Sequence, residues 1–149
     1  MSDYKKFQKQ IAAGILPFCA KTKRILFCQR GSHQSFPLMW ASWGGKFDEE
    51  KDKTPQDCAK REFLEETRCK KDYIITKEPL YIVDENSIKY YLFAAIFNEE
   101  WEPNIKAQKE AAGWGWFSLD NLPKNMMPSL SSFFNKEKEL IEKIFNNYE

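Results

Sequence analysis

The chain predicts an α/β fold, a mixed β-sheet with helices packed on its faces, in a single domain over residues 1–149. Three observations carry that expectation. Apolar runs of strand length stand before, between and after two stretches with helical features, so neither element type is confined to one half of the chain. A full helix-start signal lies at residues 54–57. At 149 residues, 42% hydrophobic and 15% aromatic content suffice to close one core.

In chain order, residues 11–19 and 25–29 are apolar runs joined by the polar Lys21-Thr22-Lys23-Arg24, the pattern of a β-hairpin. Residues 31–47 mix Pro, Gly and Ser with Trp40 and Trp43 and predict an irregular but packed loop. Thr54 then offers an N-cap side chain, Pro55 suits the first helical position, and Asp57 places an acid in the first turn, so a helix should run from there to about residue 69. Residues 73–83 and 88–97, rich in β-branched and aromatic side chains, flank the polar Asp84-Glu85-Asn86-Ser87 and predict a second hairpin. Residues 114–119 suit a last short strand. Phe133, Leu140, Ile141, Ile144, Phe145 and Tyr148 recur at helical spacing and predict one closing helix over 132–148. No internal repeat or low-complexity segment interrupts this order.

Lys+Arg (23) and Asp+Glu (22) nearly cancel, which argues against a long nucleic acid as partner and leaves room for a small phosphorylated molecule. Cys19, Cys28, Cys58 and Cys69 show no C-x-x-C spacing and have only His33 as a companion, which excludes a zinc site. Scattered through apolar stretches, they predict buried, reduced thiols and a cytoplasmic protein. Residues 1–10 are polar with no signal core, and no segment reaches the length of a membrane span, so no membrane partner is expected. Monomer and homodimer are both open.

The most informative stretch is Arg61-Glu62-Phe63-Leu64-Glu65-Glu66-Thr67. At about 100° per residue, Glu62, Glu65 and Glu66 fall within an arc of about 100° on one helix face. Glu62 and Glu66 are like-charged at i, i+4 and cost an isolated helix about 0.3 kcal/mol unless a cation sits between them. Carboxylate oxygens are the ligands that Mg²⁺ prefers. The residues alone leave a second reading open, in which Arg61 and Arg68 pair with Glu65 and Lys70 pairs with Glu66 along a solvated helix. On the helical wheel Glu66 lies beside Ala59, with Phe63 beyond it on the core side, and a partly buried anion needs a partner.

Gly44-Gly45-Lys46-Phe47, an acidic loop, the Thr54 helix start and the Arg61-Glu62-x-x-Glu65-Glu66 core together resemble the Nudix box, G-x5-E-x7-R-E-u-x-E-E-x-G-u with u apolar. The resemblance covers most of the chain, taking in Arg30 after Ile25-Leu26-Phe27, Trp40 before the glycine pair, and Trp116-Phe117-Ser118-Leu119-Asp120-Asn121-Leu122-Pro123. Within the family, the Trp40 and Trp116 segments look most like oxidised-purine nucleoside triphosphatases of the MutT type. There are departures. The loop between Gly45 and Arg61 is two residues longer than the pattern, and Lys53 stands where the box has its first glutamate. Arg68 replaces the glycine that ends the helix, so either Arg68 turns left-handed at a cost of about 1 kcal/mol or the helix ends differently. Where the resembled triphosphatases read the purine, this chain has Ala41, Ser129 and Leu130, which implies weak discrimination of oxidised purines.

The resemblance implies a Nudix fold and a Mg²⁺-dependent hydrolase, with Mn²⁺ as a substitute, that cleaves a pyrophosphate bond in a nucleoside diphosphate derivative. Carried over residue by residue, it assigns Gly44 (through its carbonyl), Glu62, Glu65 and Glu66 to metal, and Arg61, Glu65 and Glu110 to catalysis, with Arg61 orienting a carboxylate. Arg30, Trp40, Trp43 and Lys46 fall to substrate binding. Structural roles compete with these: an ordinary turn for Gly44, a surface position for Glu110, a salt bridge to the acidic box for Arg30, and packing for Trp40, Trp43 and Phe36 in place of stacking on a base. His33 is expected to play no part in catalysis. The favoured substrate is a (deoxy)nucleoside triphosphate, cleaved to monophosphate and pyrophosphate, because the chain is short and shows no additional N-terminal domain. ADP-ribose, NADH or dinucleoside polyphosphates are the alternative. A non-catalytic nucleotide-binding module is the reading from another class, and the presence of all three box glutamates disfavours it.

Overall fold

A computed structural model of the chain describes residues 9–85, 87–106 and 110–147. One sheet contains β1 (Gln10–Cys19), β2 (Arg24–Arg30), β3 (Trp40–Ala41), β4 (Trp43–Lys46), β5 (Ile74–Ile75), β6 (Tyr81–Glu85), β7 (Ile88–Phe97) and β8 (Ala111–Ser118). The helices are α1 (Pro55–Thr67), α2 (Pro128–Lys136) and α3 (Lys138–Asn147), with a 3₁₀ turn at Leu119–Asn121. The sheet is mixed and helices cover both faces, the α/β arrangement that the sequence predicts.

The centre of the sheet is the parallel pair β1 and β7, in register from Gln10↔Ile88 to Cys19↔Phe97. Strands covered on both faces read as continuous apolar runs, and successive side chains go to opposite faces. Ala13 and Ile15 of β1 and Phe93, Ala95 and Phe97 of β7 therefore pack on the α1 side, while Leu16, Phe18, Leu92, Ala94 and Ile96 pack on the side of α2 and α3. Phe63 docks α1: it is fully buried and edge-on to Tyr73 and Trp101 at 5.7 and 5.8 Å, an apolar burial that contributes about 2 kcal/mol.

Several predicted elements are corrected. The first hairpin exists only at its tip, Phe18↔Ile25 and Cys19↔Arg24, because the first half of that edge of β1 pairs with β4, from Ala12↔Lys46 to Ile15↔Trp43. Residues 31–47 are not irregular throughout, since they hold β3 and β4. These strands are too short to show a period-2 pattern, and their ladders come from β2 and β1. The second hairpin joins β6 to β7, whereas the start of its first arm is the separate β5, paired further along β7. Asn86, in its turn, lies outside the described residues. β8 begins at Ala111, three residues earlier than expected.

Helix α1 stops at Thr67, where Arg68 adopts the left-handed conformation (φ 58°) and donates its backbone N–H to Leu64 O at 2.9 Å. The expected single closing helix is two, broken at Glu137 (φ −119°, ψ 36°). A straight helix over 128–147 would be about 30 Å long, as long as a small domain. The bend keeps Leu130, Phe133 and Phe134 in one cluster with Ile141, Ile144 and Phe145. Tyr148 lies outside the described residues. All four thiols are free, with Cys19, Cys28 and Cys58 buried and Cys69 only half-buried. Among the described residues no helix is long and apolar enough to cross a membrane.

Candidate active site

Helix α1 carries the acids, and its start is built by local hydrogen bonds. Thr54 Oγ1 accepts from the Asp57 N–H at 3.1 Å, and the Asp57 carboxylate accepts from the N–H groups of Thr54 at 3.2 Å and Lys53 at 3.1 Å. This reciprocal cap contributes about 1 kcal/mol and sets the phase of the helix. With Cys58, Ala59, Phe63 and Thr67 turned to the core, the helical period brings Glu66 to the buried edge. Glu62 and Glu65 follow toward solvent, with side-chain exposures of 16% and 52%.

Glu66 is 8% exposed. Its Oε1 has no hydrogen-bond partner, although the Gly44 backbone bonds the carboxylate. Burial, reinforced by the charges of Glu62 and Glu110, pushes its carboxyl up to about 9. Burial also raises Glu62, against the opposing pull of Arg61. Mutually repelling carboxylates, one with an unpartnered buried oxygen, form an oxygen-only donor set that fits a hard divalent cation. Among the described residues no three such side chains already gather about one point. Glu65 turns instead to Arg61.

Arg61 organises this face. Its Nε and Nη2 donate to Asp52 Oδ1 and Oδ2 at 2.9 and 2.8 Å, and Nη2 also reaches the Lys46 carbonyl at 3.0 Å. Nη1 reaches Glu62 at 3.2 Å and Glu65 at 3.3 Å, so the salt bridge expected between Arg61 and Glu65 forms alongside these others. The Asp52 side chain is 1% exposed, and the guanidinium holds its carboxyl below the ordinary value. Sequence reasoning missed Asp52. The box register points to Lys53, but the longer loop turns through Asp48, whose N–H donates to Asp52 Oδ2 at 2.9 Å and whose carbonyl accepts the Asp52 N–H at 2.8 Å. The acidic loop itself was the available signal.

The glycine pair has a packing reason. A Cβ on Gly45 would stand 2.5 and 2.7 Å from the Glu62 carboxylate oxygens, and one on Gly44 would stand 2.5 Å from Ala13 O. The Cys58 thiol donates to the Gly45 carbonyl at 3.6 Å. Strand β4 thus lies directly beneath the acids with no side chain between.

The remaining predicted residues divide. Glu110 is felt electrostatically by both Glu62 and Glu66, and its carbonyl accepts the Gly31 N–H at 2.8 Å, which ties the approach to β8 to the end of β2. Lys46 is exposed at the end of β4. Arg30 is not bridged to the acidic box: its guanidinium donates to Ser35 O at 2.7 Å and Oγ at 3.0 Å and clasps the following loop. Trp40 is half-buried and edge-on to Phe117 at 5.1 Å. The expectation that Trp43 contacts substrate is corrected, because strand alternation turns its ring under α1, where it is 0% exposed. Phe36 is 53% exposed with φ 51°, and His33 is exposed. Of the purine-reading positions, Ala41 and Leu130 are buried, and the Ser129 side chain bonds the Tyr81 hydroxyl.

A helix bearing a capped R-E-x-x-E-E segment over a glycine strand, within a mixed sheet, defines a class. The NUDIX domain family profile matches residues 8–136, and the chain belongs to that family, the Nudix hydrolases, which act on pyrophosphate bonds in nucleotide derivatives. Among solved structures the chain folds like the MutT NUDIX hydrolase of Burkholderia pseudomallei (TM-score 0.64, 20% identity, 87% of this chain and 98% of that one). It also folds like the NUDIX domain of Shewanella oneidensis NrtR complexed with ADP ribose (TM-score 0.70, 20% identity, 91% and 92% covered). A third match is the Ap4A hydrolase of C. elegans (TM-score 0.67, 19% identity, 89% and 98% covered). At these identities the likeness is one of fold. No curated protein matches the chain.

Proposed function

We propose that this Nudix hydrolase converts (deoxy)nucleoside triphosphates to monophosphate and pyrophosphate, with Mg²⁺, or Mn²⁺ in its place, held by Glu62, Glu65, Glu66 and the Gly44 carbonyl. The observation that carries the site is Glu66, a buried carboxylate with an unpartnered oxygen beside two further acids and the bare Gly44–Gly45 backbone. A divalent cation bound there supplies charge neutralisation for the diphosphate and activation of a water.

The chain's own residues do the rest. Arg61 holds Glu62 and Glu65 in direction through its fork and is itself locked by Asp52, so these two carboxylates are oriented before substrate arrives and are drawn together with Glu66 when the cation binds. Glu65 and Glu110, both open to solvent, take up a proton there. Lys46 and Arg30 offer cations to the phosphates, and the half-buried ring of Trp40 offers a face to the base. The triphosphate branch is supported by the likeness of the Trp40 and Trp116 segments to MutT-type enzymes.

A hydrolysis panel of nucleoside triphosphates, ADP-ribose, NADH and Ap4A, run with Mg²⁺ and with excess EDTA, tests the reading. The expected result is triphosphate turnover with Mg²⁺ alone. Full turnover in EDTA refutes the metal site, a preference for ADP-ribose, NADH or Ap4A refutes the substrate, and tight binding without turnover of any member makes the chain a binding module.

A further inference from the structure

The candidate acids lie on one face of β4, and a hydroxyl pair without a role in the proposed reaction lies on the other. Tyr90 of β7 carries its ring across β1 and delivers its hydroxyl to the start of β4, where it meets Oγ of Ser42, the residue just before that strand, at 2.8 Å. Two glycines make room for it. A Cβ on Gly14 of β1 would collide with the Tyr90 hydroxyl, and one on Gly44 of β4 would stand 2.9 Å from it. The hydroxyl therefore occupies a slot floored by backbone on two neighbouring strands.

On the opposite face of the same short strand, the Glu62 carboxylate covers Gly45, the Gly44 backbone bonds Glu66, and the Cys58 thiol bonds the Gly45 carbonyl. Strand β4 has four residues and, among the described residues, a backbone ladder to β1 alone, so beneath α1, away from that edge, it is held only by side-chain bonds, such as those of Cys58 to the Gly45 carbonyl and Arg61 to the Lys46 carbonyl. Its height there depends on what touches its faces. We infer that the Tyr90–Ser42 pair is a strut that seats the Gly44–Gly45 backbone against the acids of α1, making Tyr90 a positioning residue for the divalent-cation site. The inference rests on the reading of Glu62, Glu65, Glu66 and the Gly44 carbonyl as ligands. The ring of Tyr90 belongs to the apolar cluster on the α2 side and serves stability; the hydroxyl is the part that reaches β4.

Mn²⁺ binding to the full chain without nucleotide, followed by electron paramagnetic resonance of the free ion, tests this beside Tm and steady-state kinetics. Tyr90→Phe keeps the ring and removes the strut. It should weaken Mn²⁺ binding about tenfold, the usual effect of losing a group that holds a metal ligand in place. The Mg²⁺ concentration for half-maximal hydrolysis should rise in proportion, with kcat at saturating Mg²⁺ within about twofold. Ser42→Ala should shift the same quantities in the same direction, and the double variant should be no worse than Tyr90→Phe alone. Mn²⁺ affinity within about twofold of the unaltered protein in both single variants, whatever the Tm, overturns the strut. If Tyr90→Phe does not fold, Ser42→Ala decides by the same criterion. Glu66→Gln separates the two levels: retained Mn²⁺ binding there overturns the ligand reading itself, whereas its loss there with no change at Tyr90 and Ser42 overturns the strut alone.

Discussion

Replacing Glu66 by Gln should stabilise the metal-free protein while nearly abolishing activity. In the folded chain, burial and the charges of Glu62 and Glu110 push the Glu66 carboxyl up to about 9, from an ordinary 4.5. At pH 7 the unfolded chain has released this proton and the folded chain holds it, so folding recaptures it across a gap of about 2.5 units, which costs about 3 kcal/mol. The sign follows from proton counts. Between 4.5 and about 9 the folded state binds more protons, so the penalty is absent below 4.5, grows as pH rises through the window, and is complete above it. Gln is neutral throughout and close to Glu in volume, so it removes the penalty. For a chain of this size, about 3 kcal/mol corresponds to a Tm higher by about 6–12 °C. Scanning calorimetry of both proteins in EDTA, from about pH 5 to about pH 8, should show the difference widen with pH. Added Mg²⁺ should raise the Tm of the unaltered protein only, and kcat of Glu66→Gln should fall at least about a hundredfold. A Glu66→Gln protein no more stable than its parent in EDTA at neutral pH refutes the electrostatic account. An unchanged kcat returns α1 to a solvated, salt-bridged helix.

Asp52→Ala strips Arg61 of its two-point partner at a site where the Asp52 side chain is 1% exposed, and urea unfolding should show a loss of about 3 kcal/mol at neutral pH. Because the Asp52 carboxyl is held below its ordinary 3.8, that contribution is present above 3.8 and disappears as the pH falls through the lowered value; equal urea midpoints at pH 7 would count against the clamp. Arg68→Gly relieves the left-handed C-cap at φ 58° and should add about 1 kcal/mol, a Tm rise of about 2–4 °C with kcat unchanged. With Ala41 and Leu130 buried and the Ser129 hydroxyl engaged by Tyr81, kcat/KM for 8-oxo-dGTP and dGTP should agree within about tenfold, and a ratio of about a thousand would show that another residue reads the base edge.

What the sequence determined by itself is whatever depends on neighbours within a turn or two of chain. The cap at Thr54, the phase of α1, the clustering of Glu62, Glu65 and Glu66 and the buried edge under Glu66 all follow from a 3.6-residue period over thirteen residues. The long apolar runs of β1 and β7 were legible for the same reason, as continuous stretches that only a sheet covered on both faces accommodates. Tertiary structure decided what depends on a partner far along the chain. The ladders of β3 and β4 come from β2 and β1, so two short strands in a glycine-rich segment carried no pattern of their own. That same pairing turned Trp43 inward and opened the slot above Gly14 and Gly44 for Tyr90. Asp52 became the partner of Arg61 because a longer loop folds back through Asp48, and the closing helix bent at Glu137 because two apolar faces share one core. A period is written in consecutive residues. A contact between distant strands exists only once the sheet has brought them together, and that is where the supports of the candidate site were hidden.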